Sequence, residues 1–283
     1  MKIQRILRSL AAIALAVQFI PLSHADDVLL VVDTAQNRIF ACDLASKQVD
    51  LFANLDVFDL VGSPDGTLFA SRTLTPIISK LDRDGNVIAD WTVPEERSAY
   101  GLAYGNDQVW ANIGAAEGSL ACFSAVDGRM ETSAPWGERS DSMRGLSRSD
   151  SLIYGVSFGN SVVKSVPLSL HQPAAWVESK SARPVDVLVS ESGERFVSYQ
   201  GAPADGPQQN ESYPAGVYSD MSQTPVISGF VPFGLAESGG RLYVSDVSGS
   251  IRVFDIANNF AELEPIDLPL GVRPGMLCVV SAK

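Results

Sequence analysis

The sequence predicts an all-β fold, a six-bladed β-propeller with four antiparallel strands in each blade. Three observations predict it. A short apolar segment centred on Gly or Asp recurs every forty-odd residues, alternating apolar and polar residues fill the intervals, and the strands at the two ends of the chain complement one another. A repeat of that length with strand-like content is typical of propellers, in which one repeat forms one blade.

The recurring segment can be aligned six times, which sets the number of blades. Its central residues are Asp59, Gly101, Gly145, Asp186, Gly234 and Gly275, and successive centres are 42, 44, 41, 48 and 41 residues apart. The longest interval contains a large insertion, Gly201–Gly216. We expect this insertion in the hairpin between the second and third strands of the fifth blade, either as a binding loop or as a disordered one.

Four strands follow one another within each repeat, and the last complete repeat shows them best. Strands are predicted there over Phe233–Glu237, Arg241–Asp246, Ser250–Ile256 and Ala261–Ile266. Their apolar and polar residues alternate, and Gly, Asp, Asn and Ser occupy the breaks, which is the pattern of half-buried strands joined by tight turns. After residue 25 no segment of ten or more residues has a convincing helical period.

The two ends of the chain are predicted to complete one blade together. The beginning of the folded region supplies three strands, Val28–Asp33, Arg38–Asp43 and Gln48–Phe52, without an innermost partner. The C-terminus supplies one strand, Gly275–Val280, with nothing after it. Pairing the N-terminal strands with this last strand closes the ring and removes the exposed sheet edges.

Residues 1–25 have the features of a signal peptide. Three basic residues, Lys2, Arg5 and Arg8, precede the eleven-residue apolar segment Leu10–Ile20, and Ser23-His24-Ala25 is a small-residue cleavage site. Eleven apolar residues are too few for a membrane span, which needs about 20. We therefore expect cleavage before Asp26, a single mature domain of residues 26–283 with no membrane span, and a periplasmic or secreted protein.

The charge of the mature chain excludes one class of partner. Without the three basic residues of the signal peptide, 18 Lys and Arg remain against 33 Asp and Glu, a formal net charge of −15. Nucleic acid and anionic lipid are recognised by clustered Lys and Arg, which this chain lacks. We expect an acidic, monomeric protein that binds no nucleic acid.

The three cysteines are predicted to be buried free thiols. Cys42 and Cys278 would lie on strands of the same blade that are separated by one strand, a gap of about 10 Å that a disulfide does not bridge. Cys122 belongs to another blade. A nucleophilic cysteine would need His171, the single histidine after the signal peptide.

Several motifs resemble those of known propellers. They are Pro232-Phe233-Gly234-Leu235-Ala236 followed by Arg241–Asp246 and Ile251–Asp255, and the turn Ser63–Leu68. With these motifs the mature chain resembles the six-bladed propellers of the NHL, YVTN and gluconolactonase-like groups. The resemblance implies the fold, and this fold carries many functions.

Blade geometry predicts which residues surround the mouth of the central channel. The start of the first strand and the hairpin between the second and third strands lie at the same end of a blade. The residues just before the Gly/Asp centres form a column there: Phe58, Tyr100, Arg144, Val185, Phe233 and Pro274. The hairpins add Asp33, Arg72, Asn112, Asn160 and Asp246.

Four residues of this column form the predicted ligand-binding site. Phe58, Tyr100 and Phe233 would place aromatic rings around the cation of Arg144. Such a site suits a small anionic or amphipathic ligand, which the guanidinium would orient through bidentate hydrogen bonds. The alternative is that the rings fill the channel as part of the core, since an empty apolar channel loses packing contacts.

The resemblance to gluconolactonase-like enzymes implies an alternative, a divalent cation held on the axis by this column. A cation such as calcium needs several oxygen ligands. The column supplies none, so we expect no metal site and no cofactor. Asp59 and Asp186 lie one place further along, where they could either face the axis or hydrogen-bond the backbone of a neighbouring blade.

Lyases that open streptogramins share this fold, and such an enzyme would need a histidine as acid or base. His171 is predicted on an outer strand, far from the axis. The leading expectation is therefore a binding or interaction module, with a small molecule or a protein partner at the channel mouth. The alternative is an enzyme of the lactonase or lyase type that uses Asp59, Asp186 or Asp246 as acid, base or metal ligand.

Overall fold

The computed structural model describes residues 27–114, 118–135, 143–159, 161–169, 175–179, 183–201, 214–219 and 222–281. The side chains of Glu96, Met143 and 175–179 are not described. The strands form six antiparallel sheets arranged as a six-bladed β-propeller, which confirms the predicted fold class. The predicted signal peptide, His171 and Asn160 lie outside the described residues.

Blade 1 contains β1 (Val28–Asp33), β2 (Arg38–Asp43) and β3 (Val49–Ala53). Blade 2 contains β4 (Val57–Gly62), β5 (Leu68–Arg72), β6 (Ile77–Leu81) and β7 (Val87–Thr92). Blade 3 contains β8 (Ala99–Gly105), β9 (Gln108–Ile113), β10 (Ser119–Ser124) and β11 (Met130–Pro135). Blades 4 and 5 contain β12 (Met143–Arg148), β13 (Leu152–Ser157), β14 (Val162–Pro167) and β15 (Ala175–Ser179); and β16 (Pro184–Val189), β17 (Arg195–Tyr199), β18 (Gly216–Ser219) and β19 (Ile227–Ser228). Blade 6 contains β20 (Pro232–Ser238), β21 (Arg241–Asp246), β22 (Ser250–Asp255), β23 (Ala261–Glu262) and β24 (Ile266–Asp267), and β25 (Pro274–Val280) is the inner strand of blade 1. A short 3-10 turn, Pro94–Glu96, joins blade 2 to blade 3.

The ring closes in blade 1, as the sequence predicts. The C-terminal strand β25 pairs antiparallel with β1, so that Leu30 lies opposite Cys278 and Val28 opposite Val280. The six inner strands, β25, β4, β8, β12, β16 and β20, each contact the inner strand of the next blade all the way around. No inner strand is therefore left without neighbours on both sides.

The hydrophobic core is divided into six clusters, one between each pair of neighbouring blades. Strand β1, the second strand of blade 1 counted from the axis, shows why such strands have a continuous apolar sequence. Leu29 and Val31 pack towards blade 6, whereas Leu30 and Val32 pack towards blade 2. All six residues of β1 are consequently buried. Sheet-to-sheet packing between blades is the main source of stability in this ring.

The fourth strand of blade 6 differs from the prediction of one strand over Ala261–Ile266. Two short segments, β23 and β24, both pair with β22 and are separated by residues 263–265. Pro265 has no backbone N–H to donate to the ladder, which explains the break. The fourth strand of blade 1, predicted over Gln48–Phe52, is displaced by one residue, to Val49–Ala53.

Every inner strand has a register shift against its second strand at its beginning. In blade 2 the shift falls between Val57 and Asp59, and in blade 5 between Pro184 and Asp186, so Phe58 and Val185 are the extra residues. Bulges redirect side chains out of the sheet alternation. The mouth column predicted from sequence is thus a column of β-bulges.

The three cysteines are free and buried, as predicted. Burial raises the pKa of each thiol to about 12, so none is a ready nucleophile at neutral pH. In the part of the chain that the structure describes, no helix is long and apolar enough to cross a membrane.

Candidate functional site

The starts of the inner strands and the hairpins after the second strands lie on one face of the ring, which we call the mouth face. Backbone hydrogen bonds join the two sets of segments. Thr34 N donates to Arg273 O at 3.0 Å in blade 1, and Gly114 N donates to Ser98 O at 2.9 Å in blade 3. In blade 5, Gln200 N donates to Arg183 O at 2.9 Å. The 201–216 insertion begins on this face, but residues 202–213 are not described.

Three of the four predicted ligand-binding residues are joined by contacts to Phe58. The rings of Phe58 and Tyr100 meet edge to face with centroids 5.4 Å apart. The Cζ atom of Arg144 lies 5.3 Å from the Phe58 centroid. Phe233 belongs to blade 6 and packs against the same apolar cluster as Phe58, the one between blades 1 and 2. All four side chains are half-buried, whereas Val185 and Pro274 of the same column are buried.

Arg144 occupies an unusual environment for a cation. Its guanidinium lies between two aromatic rings, since Cζ is also 5.1 Å from the centroid of Phe158. Its Nε atom is buried and has no hydrogen-bond acceptor. Burial lowers the pKa of the guanidinium, and Tyr100 partly opposes that effect. No carboxylate of the described residues pairs with Arg144, and the described groups that face its charge are the two ring faces.

Sequence reasoning missed three residues that complete this part of the mouth face. Phe158 directly follows β13, and Arg183 directly precedes β16. The Cζ atom of Arg183 lies 5.3 Å from the Phe158 centroid. Ser157, at the end of β13, is 5% exposed and its Oγ has no hydrogen-bond partner. Arg183, like Arg273, directly precedes the proline that begins an inner strand, a pattern that could have revealed the second cation.

Asp59 and Asp186 use their carboxylates to connect neighbouring blades. Asp59 Oδ1 accepts from Leu60 N at 2.8 Å, and Oδ2 accepts from Leu102 N of blade 3 at 2.8 Å. Asp186 repeats the arrangement, with its own neighbour at 2.9 Å and with Leu235 N of blade 6 at 2.9 Å. Of the two alternatives, the geometry corresponds to the backbone-bonded one.

Serine hydroxyls complete both connections. Ser71 Oγ accepts from Asp59 N at 3.1 Å and donates to Tyr100 O at 2.6 Å. Ser198 Oγ accepts from Asp186 N at 3.1 Å and donates to Phe233 O at 2.5 Å. We call each Asp–Ser pair a clasp. A clasp holds the backbone on both sides of the next blade's central glycine, and therefore fixes the position of Tyr100 or Phe233.

Two further blades make a simpler version of this contact. Asn112 Nδ2 donates to Arg144 O at 2.9 Å, and Ser245 Oγ donates to Gly275 O at 2.7 Å. The matching central residues are Gly101 and Gly234, and a Cβ atom at Gly234 would lie 2.5 Å from the backbone oxygen of Gly275 in blade 1. Direct backbone packing replaces the carboxylate there, which explains why these two positions need glycine.

Both clasp carboxyls titrate abnormally. Burial raises the pKa of Asp59 well above its usual value, and the charge of Asp186 raises it further. Burial raises the pKa of Asp186 to about 7, against the lowering effect of its amide hydrogen bonds. The two groups therefore bind protons at pH values at which exposed carboxyls are ionised.

The other acidic candidates of the mouth face are engaged in turns. Asp246 Oδ1 accepts from Ser248 N at 2.9 Å, the usual geometry of an Asx turn. Asp33 accepts from Arg273 N at 3.1 Å and forms an ion pair with Arg38 at 3.0 Å. Within the described ranges, no group of three His, Cys, Asp or Glu residues is arranged to hold a metal ion.

Comparison with known proteins places the chain by fold. No protein-family model and no curated protein matches it. Solved structures match over almost the whole chain. The chain is a six-bladed β-propeller. One structural relative, from a nidogen/laminin complex, has a TM-score of 0.70 at 12% identity, covering 90% of this chain and 98% of the other.

Two further structural relatives differ in what is known of them. A protein of unknown function from Bacteroides caccae has a TM-score of 0.68 at 13% identity, covering 90% of this chain and 99% of the other. A streptogramin B lyase has a TM-score of 0.61 at 12% identity, covering 90% and 93%. At such identities the likeness shows the fold, and it does not distinguish the NHL, YVTN and gluconolactonase-like groups.

Proposed function

We propose that this chain is an exported binding module whose mouth face holds an amphipathic anion, either a small molecule or a group on a partner protein. The observation that carries the proposal is the environment of Arg144. Its guanidinium lies between the rings of Phe58 and Phe158, and its buried Nε has no hydrogen-bond acceptor. A half-buried arginine between aromatic rings is a typical anchor of binding surfaces.

The charge of the protein supports a selective site of this kind. The mature chain has a formal net charge of −15, so anions are repelled by most of its surface. A cation that no described carboxylate neutralises stands out against that background. The aromatic rings beside it add an apolar surface, so the site favours a ligand with both an anionic and an apolar part.

Exposed apolar residues continue this surface outward. Val231 and Val247 flank the start of blade 6, with exposed fractions of 37% and 42%. Leu270, which lies before β25, is fully exposed. All three lie on the mouth face, on the same side as Phe233. A partner protein could therefore bury apolar area next to the cation, as protein interfaces commonly do.

The enzymatic alternative receives less support from the site. Lactonase- or lyase-type chemistry would use Asp59, Asp186 or Asp246 as acid, base or metal ligand, with a divalent cation in the first case. The oxygens of Asp59 and Asp186 accept backbone amides of two blades, and Asp246 closes a turn. Carboxylates held in this way support the ring. Among the relatives, nidogen occurs in a complex with laminin and the streptogramin enzyme is a lyase, so the fold permits both functions.

A fluorescent aromatic sulfonate, 1-anilinonaphthalene-8-sulfonate, tests the binding site directly. We expect saturable one-to-one binding to the native protein with a blue-shifted emission. Arg144→Ala should weaken binding about tenfold or more, because a hydrogen-bonded charge pair contributes about 1.5–3 kcal/mol. Arg72→Ala is the matched control, since Arg72 lies on the same face and donates to Asp56 O at 2.9 Å. Equal binding by Arg144→Ala and wild type would refute the proposal.

Export is tested separately. The full chain, produced in a Gram-negative bacterium, should be recovered from the periplasm with Asp26 as its first residue. Intact mass and N-terminal sequencing decide the matter. Recovery of the uncleaved chain in the cytoplasm would contradict export and leave the binding site unaffected.

A further inference from the structure

The sector of the mouth face formed by blades 4 and 5 holds two cations around one ring. The Cζ atoms of Arg144 and Arg183 lie 5.1 and 5.3 Å from the centroid of Phe158. Like charges at such separations repel, and the ring faces offset only part of the cost of removing them from water. An anion bound between the two guanidinium groups would offset their repulsion and stabilise this arrangement.

Two buried polar atoms in the same sector have no partner. They are Nε of Arg144 and Oγ of Ser157, and Ser157 is 5% exposed. Both residues belong to the inner pair of blade 4, in which Ser157 lies opposite Met143. Native structures rarely leave buried donors unsatisfied, and a ligand that accepts hydrogen bonds would remove the penalty. Both atoms can donate, so the missing group is an acceptor.

Other arginines of the mouth face show the usual alternative. Arg72 donates to Asp56 O and, at 3.4 Å, to Ser79 Oγ. Arg38 pairs with Asp33, and Arg97 pairs with Glu95. Acceptors within the chain satisfy each of these three guanidinium groups. Among the described residues, Arg144 and Arg183 have no such acceptor.

The neighbouring sector supplies an apolar surface formed by two aromatic rings. Phe58 contacts both Arg144 and the ring of Tyr100, whose edge-to-face packing leaves both rings half-buried. Behind Tyr100 lies Gly114, against whose Cα the ring is packed, so a side chain there would displace it. The apolar surface and the cations are continuous through the Arg144–Phe58 contact.

We propose that Arg144, Ser157 and Arg183 form an oxyanion subsite. It takes the carboxylate or phosphate group of a ligand whose planar apolar body lies against Phe58 and Tyr100. The inference deepens the proposed function, on which it rests for the choice of the mouth face. It adds the chemical class, an aryl or arylalkyl oxyanion, and two residues, Ser157 and Arg183, that recognise the charged group.

Isothermal titration with four probes tests the subsite. The probes are phenylacetate, phenyl phosphate, the neutral isostere phenylacetamide, and inorganic phosphate. We expect the two aromatic anions to bind, the amide to bind at least about tenfold more weakly, and inorganic phosphate to fall between them. The ratio of phenylacetate to phenyl phosphate affinity distinguishes a carboxylate from a phosphate ligand. Equal binding of phenylacetate and phenylacetamide would overturn the subsite.

Variants assign the roles of the residues. Arg144→Ala and Arg183→Ala should each weaken the binding of the preferred anion about tenfold, and Ser157→Ala about threefold. Arg72→Ala should bind as wild type does. An equally large loss of affinity in Arg72→Ala would show that the anion responds only to the overall charge of the mouth face, and would overturn the proposal. Arg144→Lys, which keeps the charge and loses the fork, replaces Arg144→Ala if the latter does not fold, and should weaken binding by a smaller factor.

The outcomes separate the two proposals. Saturable binding of the naphthalene dye that depends on Tyr100 but not on Arg183 or Ser157 would retain the mouth face as the binding site and overturn the oxyanion subsite. Binding of phenyl phosphate and of the dye that depends on Arg144, with phenyl phosphate also depending on Arg183, would support both proposals, and binding of neither probe would contradict both.

Discussion

Blades 2 and 5 carry the same clasp and differ in what they present at the channel mouth. Asp59 and Ser71 in blade 2 correspond atom by atom to Asp186 and Ser198 in blade 5. The bulged residue before the carboxylate is Phe58 in blade 2, half-buried against Arg144, and Val185 in blade 5, 1% exposed. The connection within the ring is therefore shared, and the residue that a ligand would meet is not.

The comparison extends to the remaining blades. Blades 3 and 6 pair a central glycine with a polar residue, Asn112 or Ser245, that reaches the next blade. In blades 1 and 4 a glycine faces a valine, Val32 or Val156, at the bulge. Blades three apart thus share one type of connection, which gives the ring an approximate two-fold order. Mouth residues differ between blades 2 and 5 and between blades 1 and 4, whereas blades 3 and 6 both carry an aromatic residue, Tyr100 and Phe233.

Removing a clasp carboxylate should have the largest effect and should be equal in the two blades. At pH 5 we expect Asp59→Ala and Asp186→Ala each to lower the free energy of unfolding by about 2–4 kcal/mol, because each leaves two buried amides without an acceptor. Urea denaturation measures the change. Asp246→Ala, which loses one turn hydrogen bond, is the control and should cost about 1 kcal/mol. An unchanged free energy of unfolding in either Asp→Ala variant would show that the two clasps are not equivalent.

The stability of the ring should fall as the pH rises. Folding raises the pKa of both clasp carboxyls, so the folded chain keeps protons that the unfolded chain releases. This contribution is complete below about pH 4 and is lost as the pH passes through about 7. We expect a decrease of about 1–4 kcal/mol between pH 4 and pH 8. Asp186→Ala should flatten the profile near pH 7, and an unchanged profile in that variant would assign the effect elsewhere.

Exchanging the mouth residue of blade 2 for that of blade 5 should affect binding more than folding. Phe58→Val loses the ring contacts with Tyr100 and Arg144, which we expect to cost about 1–2 kcal/mol of stability. The dissociation constant for the naphthalene dye should rise about threefold to tenfold. The matched control, Val185→Ala, should cost about as much stability through lost packing and leave dye binding unchanged. Similar dye binding in both variants would show that the two blades do not differ in function.

Metal ions should have the smallest effect. The oxygens of Asp59 and Asp186 accept amide hydrogen bonds, and no group of three His, Cys, Asp or Glu among the described residues is arranged to hold a metal ion. Millimolar calcium, magnesium, manganese or zinc should therefore shift the melting temperature by less than about 1 °C, since binding to the folded state would stabilise it. Elemental analysis of protein purified without chelator should find less than about a tenth of an equivalent of each metal. Stoichiometric metal would favour the lactonase-type alternative and make the two clasps a shared site.

The sequence was sufficient for the ring because its information is local. Spacing of the Gly/Asp centres and period-two alternation predict the blades, and the unpaired strands at the ends predict the closure between β1 and β25. Proline was the neglected signal in blade 6, where Pro265 divides the last strand. Each strand and each turn is signalled by residues a few positions apart, and the repeat sets the order of the blades.

The candidate site was harder to predict from the sequence because its contacts cross between blades. Asp59 finds Leu102, 43 residues away, and Asp186 finds Leu235, 49 residues away. Both alternatives for these carboxylates were therefore open at the level of sequence. Phe158 and Arg183 meet only because a hairpin of blade 4 lies beside the start of blade 5. Of the cationic sector, sequence patterns predicted Arg144 and missed its neighbours.

Closure by the final strand also has a consequence for biosynthesis. Strand β1 reads VLLVVD, and its inner edge stays unpaired until β25 has been made. About 220 residues separate β3 from β25, which corresponds to roughly 10 to 45 s of translation. During that interval an apolar edge is open to other chains, the situation that leads to aggregation. A nascent chain of this protein should therefore depend on chaperones until β25 has been synthesised.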